Sequence, residues 1–289
     1  MEFKYGLLLV LFFSYKLSAT EPLRIVKESM VKSLDIEGAS KETIATIVNS
    51  SFNLRAYQEN YLLPASFRYG SDISQFESHE TKNIETEFQV SVRYDFAPNL
   101  LGLGEIYSFG YTQRSWWQLY SESAFFRESN YQPELFVKLP TYHFLKGTPI
   151  KGFKMALVHQ SNGRGGEYER SWNRVSFSTF FQIKNLITEL EFWSRLPDNI
   201  DYNPDLTEYL GHGQLKFMLP YNKHLFKLTL HSNNSTHKSS AEFIYTYPLP
   251  VREENDLFLY VKSFNGYGES LIDYNHNVNK ISIGVAISR

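Results

Sequence analysis

The sequence predicts an all-β protein, folded as a single antiparallel transmembrane β-barrel of about twelve strands. Three observations predict it: an N-terminal apolar segment typical of export, an aromatic-rich composition, and repeated segments in which apolar and polar residues alternate. The 289 residues include 20 Tyr, 23 Phe and 4 Trp, which together make 16% of the chain. Such a composition favours strands over helices.

The charge balance and the absence of cysteine exclude several classes of protein. The 29 Lys and Arg residues against 31 Asp and Glu residues give a formal net charge of −2. This balance gives no electrostatic support for nucleic-acid binding. Because the chain has no cysteine, it can form neither a disulfide framework nor a thiolate metal site, and cysteine nucleophiles are excluded.

The N-terminus has the layout of a secretory signal peptide. Lys4 precedes an apolar run over residues 6–13, and small residues follow at Ser18 and Ala19. The alternative, a membrane anchor, is disfavoured because a spanning helix needs roughly 20 apolar residues. The sequence therefore predicts a signal peptide over residues 1–19.

Residues 61–289 alternate with a period of two, which is the periodicity of a β-strand. In TEFQVSVRYDF (residues 86–96), every apolar side chain falls on one face and polar side chains fall on the other. The pattern recurs in three later segments, at residues 214–219, 226–231 and 280–287. Residues 20–60 are mixed and polar and are interpreted as an N-terminal extension, which leaves residues 61–289 for the barrel.

Periodicity alone does not separate a membrane barrel from a soluble β-sandwich, in which the apolar rows face each other across a core. The polar rows of this chain carry Lys, Arg, Asp and Glu, as expected for a hydrated lumen. The abundant Tyr, Phe and Trp suit aromatic girdles at the membrane interfaces. These two features favour the barrel.

A histidine, a serine and an asparagine continue the apolar rows of two consecutive segments. His159 and Ser161 share one parity in FKMALVHQS (residues 153–161), and Asn173 begins the apolar row of NRVSFSTFF (residues 173–181). If the segments pair as a hairpin, all three meet on the lipid-facing side. A serine nucleophile needs a base, and the base needs a group that orients it. The alternative is that these are polar residues where the chain enters water.

Longer motifs surround these residues. The longest is HQSNGRGGEYERSWNR (residues 159–174); the others are YTQRSWWQL, FRESNYQPELF, NPDLTEYLG and GYGESLIDYN, which begin at residues 111, 126, 203 and 266. In this order they closely resemble the signature of the bacterial outer membrane phospholipase A family, whose pattern is His-x-Ser-Asn-Gly followed by Ser-Trp-Asn-Arg. The resemblance covers roughly residue 61 to the C-terminus.

The resemblance implies a twelve-stranded barrel of the bacterial outer membrane, active as a calcium-dependent homodimer. It also implies hydrolysis of acyl esters of phospholipids and lysophospholipids, of the A1 and A2 types, at the outer leaflet. In the family, the residue matching Ser161 is the nucleophile, that matching His159 is the base, and that matching Asn173 orients the base. The backbone amide matching Gly163 stabilises the oxyanion together with calcium.

Calcium ligands are also implied by the resemblance. In the family they are the backbone carbonyl matching Arg164, a serine best matched by Ser123, and a serine three residues before Trp, where this chain has Glu169. A carboxylate is a good calcium ligand, so Glu169 is expected to take the place of that serine. The aspartate of the family's monomeric calcium site falls at Tyr202, beside Asp201, which weakens the match there.

Gln113 has the parity of an apolar row, so its amide would be costly in lipid without a partner. The resemblance implies that it lies in the dimer interface and bonds to the second subunit. The alternative is a position just beyond the hydrocarbon.

A rival interpretation is a catalytically silent outer-membrane barrel that acts as a pore or a structural protein. The charged polar rows suit a hydrated lumen in either case. The altered calcium loop at Glu169 is the sequence feature that favours the rival.

Overall fold

The computed structural model describes residues 54–70, 81–250 and 257–289, so the predicted signal peptide and most of the predicted extension lie outside the described residues. The strands are β1 (Leu54–Ala56), β2 (Asn60–Arg68), β3 (Ile84–Pro98), β4 (Ile106–Trp117), β5 (Phe126–Pro140), β6 (Ile150–Ser161), β7 (Ser171–Ile183), β8 (Leu186–Leu196), β9 (Gly213–Tyr221), β10 (His224–Asn233), β11 (Lys238–Pro248), β12 (Phe258–Gly266) and β13 (Val278–Ser288). A 3-10 turn (Gly166–Tyr168) and a short helix α1 (Leu206–Leu210) lie in loops. Over these three ranges, no helix has both the length and the apolar character needed to cross a membrane.

Strands β2 to β13 form one closed antiparallel barrel. Each strand pairs with the next along the chain, and β13 returns to β2 with Ile283 opposite Ala65. Closure gives every strand two neighbours, which satisfies the backbone groups that lipid cannot hydrogen-bond. The predicted count of about twelve barrel strands is confirmed.

The first described residues join the sheet before residue 61. Strand β1 pairs with β3 and lies in the stretch that the sequence assigns to the N-terminal extension. The chain then lines the lumen, where the Tyr57 hydroxyl donates to Glu134 at 2.9 Å and Lys154 Nζ donates to the same carboxylate at 2.8 Å. The extension therefore contributes polar contacts to the barrel interior.

The two faces of the wall follow the predicted parity. On β3, Val90 and Tyr94 are about half exposed (49% and 48%), whereas Gln89 and Asp95 are buried at 1% and 3%. The buried charges pair across the lumen, for example Lys280 with Glu87 at 2.8 Å. Apolar side chains thus cover the outside and charged ones fill the inside, so the chain is a barrel and the sandwich alternative is wrong.

The loop between β12 and β13 (residues 267–277) plugs the lumen at the end opposite the termini. Its Glu269 and Asp273 are buried and lie 2.7 and 3.1 Å from the guanidinium of Arg68. Arg127 contacts Asp273 and also lies 2.9 Å from Glu85. Buried charges need several partners to offset their desolvation, and this cluster provides them. Below the plug, the lumen contains a cavity of about 860 Å³.

Candidate active site

Strands β6 and β7 carry the three predicted catalytic residues on the outer surface, near the plugged end of the barrel. His159 stands directly opposite Asn173 in the register, and Ser161 follows on the same face. The residues between them point inwards, where Trp172 Nε1 donates to Gln160 Oε1 at 2.9 Å. Because side chains alternate along a strand, His159, Ser161 and Asn173 face outwards while Gln160 and Trp172 face the barrel interior.

Asn162 holds the loop that follows Ser161. Its buried side-chain oxygen accepts the backbone N–H of Arg170 at 3.0 Å and that of Arg164 at 3.3 Å, and its amide donates to the carbonyl of Tyr168 at 2.8 Å. One side chain thus satisfies three backbone groups of the β6–β7 loop. Asn162 stands within the HQSNGRGGEYERSWNR motif, but no separate role for it was predicted from the sequence.

Gly163 occupies a position that only glycine fills without strain. Its φ is +66°, and an added Cβ would lie 3.1 Å from the ring of Tyr131. Tyr131 is the cross-strand partner of Ser161, so the turn packs directly beside the serine. Within the described residues, the Gly163 amide N–H makes no backbone hydrogen bond outside the strands.

His159 and Asn173 are hydrogen-bonded. His159 Nδ1 lies 2.8 Å from Asn173 Oδ1, and Asn173 Nδ2 donates to Asp198 Oδ1 at 2.6 Å. An amide oxygen only accepts, so Nδ1 carries the proton and Nε2 is the acceptor on the other side of the ring. Ser161 shares the face but forms no side-chain hydrogen bond within the described ranges; such bonds often tighten only when substrate binds.

Comparisons with known proteins identify the family of this chain. The family model described as Phospholipase A1 matches residues 39–287. The chain belongs to the phospholipase A1 family. Phospholipase A1 of Escherichia coli strain K12 is 32% identical over 248 residues, which cover 83% of each chain. A putative phospholipase A1 of Neisseria meningitidis serogroup B is 36% identical over 215 residues, 71% of this chain and 55% of that protein.

Solved structures of this family share the fold. Outer membrane phospholipase A from Escherichia coli superposes with a TM-score of 0.75 at 32% identity, covering 82% of this chain and 99% of that one. The Salmonella typhi outer membrane phospholipase, a dimer with bound calcium, gives 0.76 at 30% identity, covering 91% and 97%. An E. coli active-site mutant, with an asparagine changed to alanine, gives 0.74 at 30% identity, covering 91% and 98%. This phospholipase A1 family member is an outer-membrane β-barrel.

The predicted calcium ligands lie in two different loops. Arg164 and Glu169 are in the β6–β7 loop, whereas Ser123 is exposed in the turn between β4 and β5. The Arg164 guanidinium fastens its loop to β5, with Nη2 donating to the carbonyl of Arg127 at 2.6 Å. No group of three or more His, Asp or Glu side chains in the described parts of the chain could hold a metal ion.

The donor chemistry of the β6–β7 loop nevertheless fits calcium. Glu169 is partly exposed, and its carboxylate forms no hydrogen bond or ion pair within residues 54–70, 81–250 and 257–289. Calcium prefers oxygen ligands of this kind and accepts them from several segments. The β6–β7 loop therefore offers a carboxylate that could act as a calcium ligand.

Asp201 is engaged elsewhere. Its carboxylate lies 2.6 Å from Arg195 Nη2 and accepts the backbone N–H of Asn203 at 3.0 Å, while the neighbouring Tyr202 is 41% exposed. Asp201 thus fastens the β8–β9 loop, and its position does not strengthen the match to a monomeric calcium site.

Gln113 lies on the outer face of β4 with its amide satisfied inside its own strand. Its Oε1 accepts from the Tyr111 hydroxyl at 3.2 Å, and its Nε2 donates to Ser115 Oγ at 3.3 Å. Ser115 in turn is bonded to Ser129 on β5 at 2.8 Å. The outer face of the barrel thus carries a row of hydrogen-bonded polar side chains on β4 and β5, with Gln113 two strands away from Ser161.

Proposed function

We propose that the protein is a calcium-dependent phospholipase that hydrolyses acyl esters of phospholipids and lysophospholipids, of the A1 and A2 types, with Ser161, His159 and Asn173 as its catalytic residues. The observation that carries the proposal is the His159–Asn173 hydrogen bond on the outward face, with Ser161 on the same strand and face as His159. The relatives named phospholipase A1 support the activity, and the E. coli active-site mutant supports an asparagine in the site.

The residues have complementary roles in ester hydrolysis. His159 Nε2 takes the proton of Ser161 as its Oγ attacks the ester carbonyl, and the proton then passes to the leaving alcohol oxygen. A water molecule, deprotonated by His159, then attacks the acyl carbon; the bond to Ser161 Oγ breaks, the proton on His159 returns to Oγ, and the fatty acid leaves. Asn173 keeps the ring in the tautomer that both steps need.

The Gly163 amide would stabilise negative charge on the carbonyl oxygen. Gly163 lies two residues after Ser161, in a turn that Asn162 holds through the backbone N–H of Arg164 and that lies beside the ring of Tyr131. Backbone amides held in place before the reaction stabilise an oxyanion without a reorganisation cost. The loop geometry therefore supports Gly163 as an oxyanion donor.

The outward position of the site suits a lipid substrate. Met155 and Leu157, which precede His159 on the same row, are 55% and 52% exposed. An acyl chain can lie along this apolar row while its ester reaches Ser161 near the end of the strand. A phospholipid would thus enter sideways from the bilayer, and the charged lumen would take no part.

The proposed activity also requires calcium and a second subunit. Arg164, through its carbonyl, and Glu169 would hold the ion together with Ser123 of a second copy of the chain. When bound, the ion supplies positive charge near the developing oxyanion. The Salmonella typhi relative, a dimer with bound calcium, supports this arrangement. Activity would then depend on dimerisation, which gives a switch.

The rival pore function is disfavoured by the lumen. The buried loop between β12 and β13 fills one end of the barrel and is fastened by ion pairs to Arg68 and Arg127. A passive channel needs a continuous hydrated path, and this plug interrupts it.

The test is hydrolysis of a labelled phospholipid by the refolded chain, with calcium and with chelator, beside Ser161→Ala. We expect calcium-dependent release of fatty acid that vanishes in the variant. Ser171→Ala is the matched control, because Ser171 is the cross-strand neighbour of Ser161 in the same wall. Equal, negligible release from wild type and Ser161→Ala, both folded and dimeric, would reject the proposal.

A further inference from the structure

Asn173 has a charged partner on the side away from His159. Its Nδ2 donates to Asp198 Oδ1 at 2.6 Å. Asp198 follows the end of β8, where Leu196 is the cross-strand neighbour of Asn173. The second oxygen, Oδ2, is buried and has no hydrogen-bond partner in the described ranges. Among those residues, Asn173 is the sole hydrogen-bond partner of this carboxylate.

We infer that Asp198 is a positioning residue that fixes the orientation of the Asn173 amide and thereby the tautomer of His159. The inference rests on the proposed function, and it adds a fourth member behind the three catalytic residues. Among the described residues Asp198 bonds to Asn173 and to neither His159 nor Ser161, so its effect passes through Asn173.

The physical reason lies in the two ends of an amide. The oxygen and nitrogen of Asn173 have nearly the same shape, so a bare amide can turn over and present N–H to the imidazole. A carboxylate only accepts hydrogen bonds. The Asp198 carboxylate therefore accepts from Nδ2 of Asn173, which leaves Oδ1 to accept from His159 Nδ1–H. If the amide turned over, its oxygen would face the carboxylate oxygen of Asp198.

Asp198 also supplies charge that the asparagine lacks. During attack, His159 becomes positively charged, and a neutral amide stabilises that charge less than a carboxylate would. A hydrogen bond to Asp198 polarises the amide and makes Oδ1 a better acceptor. Asp198 and Asn173 together can thus stabilise the positive charge on His159, as a single carboxylate would.

The β8–β9 loop, which carries Asp198, is held by several hydrogen bonds. Asn203 in the same loop is fully buried, and its Oδ1 accepts the backbone N–H of Ser171 at 3.0 Å. Arg195 donates to the Asn203 carbonyl at 2.9 Å and pairs with Asp201. These contacts fasten the β8–β9 loop to β7 and β8, which limits how far the backbone of Asp198 can move from Asn173.

The test reverses the donor and the acceptor. In Asn173→Asp, two carboxylates face each other, and we expect kcat to fall at least about tenfold. In the double variant Asn173→Asp with Asp198→Asn, the new amide donates to the new carboxylate, and we expect kcat to return to within about threefold of wild type. A purely structural role of Asp198 would not produce this recovery.

Single replacements complete the cycle. Asp198→Ala should lower kcat about tenfold with KM changed less than twofold, since the acyl-binding surface is untouched. Glu208→Gln, on helix α1 in the same loop, is the control and should match wild type, because its side chain is exposed. The rate at which a sulphonyl fluoride labels Ser161 should fall in parallel with kcat in Asp198→Ala.

The outcomes separate the two proposals. The inference is overturned if Asp198→Ala hydrolyses phospholipid as fast as wild type and the double variant is no more active than Asn173→Asp. The proposed phospholipase function would then still stand. If Ser161 is labelled in a way that depends on Asp198 but no phospholipid is hydrolysed, the proposal that phospholipid is the substrate is wrong and the inference is supported. Absence of both hydrolysis and labelling in a folded, dimeric wild type would overturn both.

Discussion

Gln113 and Ser161 lie at the same level of the barrel wall, because Tyr131 is the cross-strand partner of both. Neighbouring strands are about 4.8 Å apart, so the two residues are separated by roughly 10 Å around the barrel. A second barrel that packs against β4 would therefore reach the substrate side of the serine. The dimer interface predicted at Gln113 and the proposed active site therefore lie two strands apart on the outer wall.

Replacement of Gln113 by Leu should weaken the dimer. Leu suits lipid, so the barrel should fold as well as wild type, but it lacks the amide that we expect to bond to the second subunit. We expect the dimer dissociation constant in detergent with calcium to rise about fivefold, measured by sedimentation or energy transfer. Gln132→Leu is not a suitable control, since that side chain bonds Glu134 in the lumen. Leu135→Ala, further along the outer face of β5, is better, and an equal effect there would contradict a specific role for Gln113.

Replacement of Glu169 by Gln should weaken calcium activation. The carboxylate is free of internal hydrogen bonds among the described residues, and loss of its charge leaves a poorer ligand. We expect the calcium concentration for half-maximal hydrolysis to rise about tenfold. Glu167→Gln, an exposed carboxylate in the adjacent 3-10 turn, is the matched control. The same calcium dependence in both variants would argue against Glu169 as a ligand.

The strands and the outward position of His159, Ser161 and Asn173 were predictable because both depend on the local alternation of apolar and polar residues. The period of two places His159 and Ser161 on one face whatever the rest of the chain does, and Asn173 follows once the hairpin forms. The lumen charges followed from the same parity. Those inferences needed no knowledge of distant contacts.

The supporting contacts were not predictable for the opposite reason. Asp198 reaches Asn173 from the loop after the next strand, and Tyr57 reaches Glu134 across the lumen from the N-terminal segment. Such contacts join residues far apart in sequence, in loops without periodicity. For Asn162, its place between Ser161 and Gly163 in the quoted motif was a signal, because Asn at a turn commonly bonds nearby backbone groups.

Replacement of Asp273 by Ala should destabilise the plugged end of the barrel. It would remove the shared carboxylate between Arg68 and Arg127 and leave buried positive charge less compensated. Loss of one partner from a buried ion pair typically costs about 3–5 kcal/mol. We expect unfolding of the purified barrel at lower urea concentration, with hydrolysis affected less than stability. Glu122→Ala, exposed in the β4–β5 turn, is the control, and an equal shift there would contradict this role.

Gly163→Ala and Gly165→Ala form the sharpest matched pair in the β6–β7 loop. Gly163 has a φ of +66° and a Cβ there would meet Tyr131 at 3.1 Å, whereas Gly165 has an extended backbone, with φ −121° and ψ 166°, and open space around it. An alanine at a left-handed position costs about 1 kcal/mol or more, and relief of the clash would move the amide that we assign to the oxyanion.

We therefore expect Gly163→Ala to lower kcat by at least about tenfold with little change in KM, while Gly165→Ala stays within twofold of wild type. Single-turnover hydrolysis of a phospholipid in mixed micelles separates the two parameters. A barrel that resists unfolding in SDS equally in both variants shows that the loss is local to the turn. Equal activity of the two variants would mean that the turn tolerates a shift, and it would remove Gly163 from the oxyanion site.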